Sequence, residues 1–123
     1  MAGNSIQIKA ADGHALGGYM AAPAGTPRAG LLVLQEIFGV TAHIRHVADE
    51  FAARGFLALA PALFDRLAPG TELAYSRIDE GRALMQQLAI DDVAKDLAGS
   101  LAALQGRLPA GAKTGAVGYC WGG

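Results

Sequence analysis

Hydrophobic and polar residues follow two different periods along the chain, and these predict an order of strands and helices. Residues 5–10 and 16–22 alternate apolar and polar around an Asp-Gly turn, which is typical of a half-buried hairpin. Leu31–Leu34 and Phe56–Ala60 are continuous apolar runs, as expected for central strands covered on both faces. Residues 113–118 are predicted to form the last strand.

A helical period between these strands predicts three helices, over residues 41–55, 73–88 and 91–104. Thr41 caps the first helix, and Gly81 weakens the pattern of the second. Asp91 or Asp92 caps the third, whose apolar residues form one stripe that ends at Leu104. The order β-β-β-α-β-α-α-β predicts an α/β fold whose inner strands are parallel.

Composition narrows the classes of function. No run approaches the ~20 consecutive apolar residues of a membrane span, although 52% of the 123 residues are hydrophobic. The formal net charge of −1 argues against a nucleic-acid partner, which would need a basic patch. The first residues lack a basic segment followed by an apolar run, so we expect no signal peptide and a cytoplasmic protein. A single cysteine excludes an internal disulfide.

The strongest chemical signal is Gly118-Tyr119-Cys120-Trp121-Gly122, which directly follows the last predicted strand. It has the G-x-nucleophile-x-G pattern of a strand-to-helix elbow, with cysteine at the nucleophile position. A thiol there would meet the positive end of a helix dipole, which favours the nucleophilic thiolate. The alternative is a buried structural cysteine with glycines beside it by chance.

A second segment, Gln35-Glu36-Ile37-Phe38-Gly39, follows the first central strand and should lie at the same sheet edge. The backbone N–H groups of Ile37 and Trp121 are candidates for an oxyanion hole. Glu36 adjoins that hole, and a carboxylate within reach of a thiol can accept its proton. The alternative roles are a solvated loop carboxylate for Glu36 and core packing for Phe38.

Three segments together resemble the dienelactone hydrolase (carboxymethylenebutenolidase) family: Gln35–Val40, Ala68–Thr71 and Gly118–Gly123. The resemblance implies an α/β-hydrolase fold with a mainly parallel sheet, an N-terminal antiparallel hairpin and helices on both faces. It also implies a Cys-His-Asp triad that hydrolyses an enol lactone or related ester without a metal or an organic cofactor. Carried over, Cys120 would be the nucleophile and Glu36 the carboxylate that helps to generate its thiolate. Ile37 and Trp121 would supply the oxyanion N–H groups.

Two features depart from the family pattern. Relatives that hydrolyse dienelactone hold its carboxylate with cationic groups, one of them from the helical region before the last strand. Arg77 or Arg82 could be that anchor, or both could be ordinary solvated helix residues. Trp121 stands where a smaller aliphatic residue is usual, and it could narrow the pocket or simply pack.

The family's Asp and His follow the nucleophile, whereas His14, His43 and His46 all precede Cys120. His43 and His46 are spaced like a metal pair, but no further ligand completes such a site, so we expect no metal. We therefore expect residues 1–123 to be the N-terminal part of one α/β-hydrolase domain that ends just after the elbow. Its expected partners are the remainder of that domain and a small ester or lactone, and the chain alone should be inactive. The alternative is a catalytically incomplete fragment or a binding module.

Overall fold

A five-stranded sheet organises residues 3–123, the part of the chain that the computed structural model describes; the first two residues of the predicted domain lie outside it. The strands are β1 (Asn4–Lys9), β2 (Ala15–Ala21), β3 (Ala29–Leu34), β4 (Phe56–Pro61) and β5 (Thr114–Gly118). Their order in the sheet is β1-β2-β4-β3-β5. β2 pairs antiparallel with β1 and β4, whereas β3 is parallel to both β4 and β5. The predicted hairpin and parallel inner strands are therefore present.

Three α-helices complete this part of the chain: α1 (Ala42–Ala53), α2 (Ile78–Gln87) and α3 (Ile90–Gln105). Short 3-10 turns follow β4 and β5, at Leu63–Arg66 and Cys120–Gly122. None of the helices within residues 3–123 is long and apolar enough to cross a membrane.

The residues of β4 show why the sheet is covered on both faces. Successive side chains of a strand point to opposite faces. Leu57 and Leu59 pack in one apolar cluster with Leu104 of α3, while Ala58 and Ala60 pack in a second cluster that includes buried residues of α1. Because alanine side chains are short, this face of β4 lets α1 approach the sheet closely.

The helix boundaries differ from the sequence prediction at two places. Thr41 caps α1 as predicted, and its side-chain oxygen accepts the Ile44 N–H at 3.4 Å. The predicted helix over residues 73–88 is too long, because the Leu73 N–H instead donates to the Phe38 carbonyl at 2.8 Å and holds residue 73 against the loop after β3. The predicted cap at Asp91 or Asp92 is wrong. Ala89 occupies the cap position, and both aspartates lie in the first turn of α3, where the helix dipole stabilises negative charge.

An ion-pair network around Arg66 connects α3 with the turn of the β1–β2 hairpin. Asp96 of α3 is completely buried, although the sequence placed only an apolar stripe on this helix. The Arg66 guanidinium lies 2.7 Å from Asp96 and 2.9 Å from Asp12, which belongs to the turn of the β1–β2 hairpin. The guanidinium therefore joins the hairpin, the turn after β4 and α3 at one point.

Asp96→Asn should destabilise the chain, because it leaves the Arg66 charge with one partner fewer in a site that is only 15% exposed. Breaking one side of a buried pair costs several kcal/mol, and we expect about 2–3 kcal/mol less free energy of unfolding in urea. The control is Asp79→Asn, which removes an exposed i,i+3 pair with Arg82 at 3.7 Å. It should change the free energy by less than about 0.5 kcal/mol. Equal effects of the two substitutions would contradict a structural role for the network.

The same network predicts a pH dependence. Hydrogen bonds from Arg66 and from the His14 backbone N–H lower the pKa of Asp12 from 3.8 to about 2. The folded state thus favours the charged carboxylate, so its stabilisation is complete above the ordinary pKa and is lost as the pH falls through about 2. Urea midpoints of wild type and Asp12→Asn should differ most near neutral pH and converge in acid. A difference that is independent of pH would refute this assignment.

Candidate active site

Cys120 sits at a strained turn directly after β5. Its φ of 56° is in the left-handed region, and within residues 3–123 no other non-glycine residue has a positive φ. The flanking glycines are sterically required. A Cβ on Gly118 would lie 1.9 Å from the Gly122 carbonyl oxygen, and a Cβ on Gly122 would lie 2.6 Å from that of Leu34. The turn therefore presents an exposed thiol at the carboxyl end of a parallel strand.

The pairing of β3 with β5 brings Glu36 to the same edge. Leu34 pairs with Gly118, so Glu36 and Cys120 each lie two residues beyond a matched pair on strands spaced about 4.8 Å apart. The backbone after Cys120 also contacts the end of β3, because Gly122 packs against the carbonyl groups of Leu34 and Gln35. The two segments that the sequence singled out are therefore neighbours.

Gln35 fixes the loop that carries Glu36 and Ile37. Its side chain is completely buried. The side-chain oxygen accepts the Leu63 N–H at 2.9 Å, and the amide nitrogen donates to the Glu36 carbonyl at 3.0 Å. Sequence reasoning gave Gln35 no role of its own. The available signal was a polar residue directly after a fully apolar strand, where a buried amide can satisfy backbone groups of two loops.

The two N–H groups proposed for an oxyanion hole come from segments that share one apolar cluster. Trp121 packs with Ile37 and Phe38, and its indole stacks on Phe64 with ring centroids 5.5 Å apart. Of the two roles considered for this tryptophan, packing is thus observed, and narrowing of a pocket stays a prediction. The backbone N–H groups of Ile37 and Trp121 donate no hydrogen bond within residues 3–123, as the predicted oxyanion hole requires.

Glu36 is half-buried and opens onto a shallow cleft of about 450 Å³ lined by Phe38, His43 and Tyr75. The Tyr75 hydroxyl donates to Glu36 Oε1 at 3.3 Å. A neighbouring cleft of about 550 Å³ shares His43 and Tyr75 with the first. Phe38 packs in the core as expected, but its ring also meets Tyr75 edge-on at 4.7 Å.

The two candidate anchor arginines are exposed, Arg77 at the N-cap of α2 and Arg82 within the helix. Arg77 pairs with Glu80 at 2.5 Å, and Arg82 lies 3.7 Å from Asp79. Neither arginine lines the two clefts beside Glu36. Each already has a carboxylate partner three residues away on α2, so the role of substrate anchor stays a prediction.

His43 and His46 lie in different surroundings. His43 lines both clefts and lies edge-on to Tyr119 with ring centroids 6.1 Å apart. His46 points elsewhere and lies 3.9 Å from Glu50. Within residues 3–123, no three His, Cys, Asp or Glu side chains are grouped so that they could hold a metal ion.

The sheet is mixed rather than mainly parallel: β3, β4 and β5 run parallel, whereas β2 is antiparallel to both of its neighbours. Together with helices on both faces and a tight, glycine-flanked turn after β5, this arrangement fits an α/β-hydrolase fold. The solved structure titled "Crystal Structure of Putative Dienelactone Hydrolase from Klebsiella pneumoniae subsp. pneumoniae" matches with a TM-score of 0.77 at 27% identity. The match covers 99% of this chain and 52% of that one. The predicted fold class is therefore confirmed.

A model of the dienelactone hydrolase family matches residues 16–123. The chain is 32% identical over 121 residues to the carboxymethylenebutenolidase of Pseudomonas putida, covering 96% of this chain and 51% of that protein. It is 38% identical over 113 residues to a Synechocystis protein named "Putative carboxymethylenebutenolidase", covering 88% of this chain and 46% of that protein. The chain belongs to the dienelactone hydrolase family, and it spans about half the length of these curated relatives.

Helix α2 touches the site through Gly81, where the sequence pattern had indicated only a weak helix. A Cβ at this position would lie 2.1 Å from the Ile37 carbonyl oxygen. Glycine is thus the residue that lets the helix rest directly on the backbone of the loop after β3.

Gly81→Ala should therefore force α2 and this loop apart, because a backbone oxygen, unlike a side chain, cannot change rotamer to relieve the clash. We expect a loss of about 2 kcal/mol in the free energy of unfolding, measured in urea. Gly106→Ala is the matched control, because its Cβ would lie an acceptable 3.4 Å from the nearest atom and its φ is −64°. It should be neutral or slightly stabilising. A neutral Gly81→Ala would contradict the close contact.

Proposed function

We propose that the protein is an ester or lactone hydrolase whose nucleophile is the Cys120 thiolate. The observation that carries the proposal is the left-handed, exposed Cys120 at the end of β5, beside the Glu36 loop at the end of β3. A strained backbone at a reactive side chain is typical of functional sites. Membership of a hydrolase family points in the same direction.

In the proposed mechanism, Glu36 accepts the thiol proton and the Cys120 sulfur attacks the carbonyl carbon of the substrate. The negative charge moves to the carbonyl oxygen, where the N–H groups of Ile37 and Trp121 stabilise it. Expulsion of the alcohol or enol oxygen leaves an acyl group on the sulfur. Water then hydrolyses this thioester and restores the thiol.

The second half of this cycle needs a base to activate water and an acid for the leaving group. We propose that a His and an Asp beyond residue 123 take these roles, in one domain of which residues 1–123 are the N-terminal part. The length of the relatives, about twice that of the matched segment, supports this division. The 123 residues alone would then form the substrate-facing half of the site without catalysing turnover, which is also how a catalytically incomplete binding module would behave.

The substrate is proposed to carry a carboxylate. The relative from Pseudomonas putida is named a carboxymethylenebutenolidase, after a lactone that bears such a group. Arg77 or Arg82 would bind it after exchanging its present carboxylate partner on α2. A free, reactive thiol favours a reducing compartment, so we also propose that the protein acts in the cytoplasm.

Cys120→Ala in the complete protein should lower kcat/KM for an activated ester at least about 1,000-fold, because it removes the group proposed to form the acyl intermediate. Glu36→Gln should lower it about 100-fold, the usual contribution of a general base. Glu50→Gln is the matched control, an exposed glutamate on α1 that should leave turnover unchanged. Undiminished turnover by Cys120→Ala would end the proposal.

A further inference from the structure

We propose that Tyr75 is a positioning residue that orients the Glu36 carboxylate toward the Cys120 thiol. The inference rests on the proposed function, since it assigns Glu36 the role of proton acceptor. Tyr75 lies in the segment between the turn after β4 and α2, for which the sequence offered no chemical role.

The contact itself is between the tyrosine hydroxyl and one carboxylate oxygen. Tyr75 donates to Glu36 Oε1 at 3.3 Å, and within residues 3–123 no other group donates a hydrogen bond to this carboxylate. A free glutamate side chain samples many rotamers, and a single fixed donor selects among them. With Oε1 held by Tyr75, Oε2 is the oxygen left to accept the thiol proton.

The backbone that carries Tyr75 is fastened to the loop that carries Glu36. Glu72 forms a β-bridge with Gly39, and the Leu73 N–H donates to the Phe38 carbonyl at 2.8 Å. Arg45 strengthens this junction, because it pairs with Glu72 at 3.0 Å and donates to the Val40 carbonyl at 2.7 Å. The donor and the acceptor therefore belong to one cross-linked unit and keep their relative places.

The ring of Tyr75 adds a second constraint. It meets Phe38 edge-on at 4.7 Å with an interplanar angle of 67°, although 55% of the residue is exposed. A phenylalanine could make the same edge contact. The hydroxyl group is therefore not required for packing against Phe38. Its one protein acceptor within the described residues is Glu36.

Long hydrogen bonds of this kind orient their partner more than they change its charge, because the energy falls steeply with distance. The proton balance is simple. The thiol proton moves to Glu36 Oε2, the thiolate forms, and Tyr75 keeps its own proton throughout. Loss of the hydroxyl should therefore slow thiolate attack while leaving substrate binding intact.

The test is a double-mutant cycle of Tyr75→Phe and Glu36→Gln in the complete protein. Two rates are measured for each variant at one fixed pH: kcat and KM for an activated ester, and the rate of Cys120 alkylation by iodoacetamide. Tyr75→Phe should lower kcat and the alkylation rate about fivefold, the value of one modest hydrogen bond, with KM unchanged. In the Glu36→Gln background it should have no further effect.

Tyr19→Phe is the matched control, because it also removes a hydrogen bond from a tyrosine hydroxyl to a carboxylate, that of Asp49 at 2.8 Å. Tyr19 does not line the clefts beside Glu36. It should leave both rates unchanged. Wild-type rates in Tyr75→Phe, or an equal loss in both backgrounds, would overturn the inference, as would wild-type alkylation in Glu36→Gln. If no variant hydrolyses ester but the alkylation cycle shows the coupling, the proposed function fails and the positioning role stands.

Discussion

The parallel pairing of β3 with β5 is the constraint on which the candidate site depends. It sets the ends of two strands side by side. The carboxylate of Glu36 and the N–H of Ile37 thereby come near the thiol of Cys120 and the N–H of Trp121, although the two pairs are more than 80 positions apart in the chain. The contact is close because Gly122 lies against the carbonyl groups of Leu34 and Gln35. Any larger residue there would open the gap between the two loops. The chemistry of the site is thus a consequence of strand register.

A second layer of contacts keeps the loop after β3 in one conformation. The buried Gln35 amide satisfies backbone groups on two segments, and α2 lies directly on the Ile37 carbonyl at Gly81. On the solvent side, the Tyr75 hydroxyl donates a hydrogen bond to Glu36 of the same loop. Rigid support of this kind matters because an oxyanion hole and a proton acceptor work only when they are preorganised.

The sequence predicted the parts of this structure that depend on periodicity and on backbone chemistry. Alternating and continuous apolar runs predicted the hairpin and the central strands, and Thr41 marked the start of α1. The prediction from sequence failed where contacts between distant residues determine the local structure. The segment around Leu73 is held against the loop after β3 by a hydrogen bond to Phe38, and the capping position of α3 is an alanine. The burial of Asp96 depends on Arg66, 30 residues away. The proximity of Tyr75 to Glu36 spans 39 residues and has no local signature.

The left-handed backbone at Cys120 has a consequence for how such proteins change under selection. A non-glycine residue in that conformation costs about 1–2 kcal/mol, so the position of the proposed nucleophile is also one where the fold can be stabilised. Laboratory evolution that rewards heat resistance alone would enrich glycine at position 120, and would do so by discarding the thiol. Selection for stability therefore favours glycine at position 120, whereas selection for the proposed activity favours cysteine. A library that is screened for one of the two properties will lose the other.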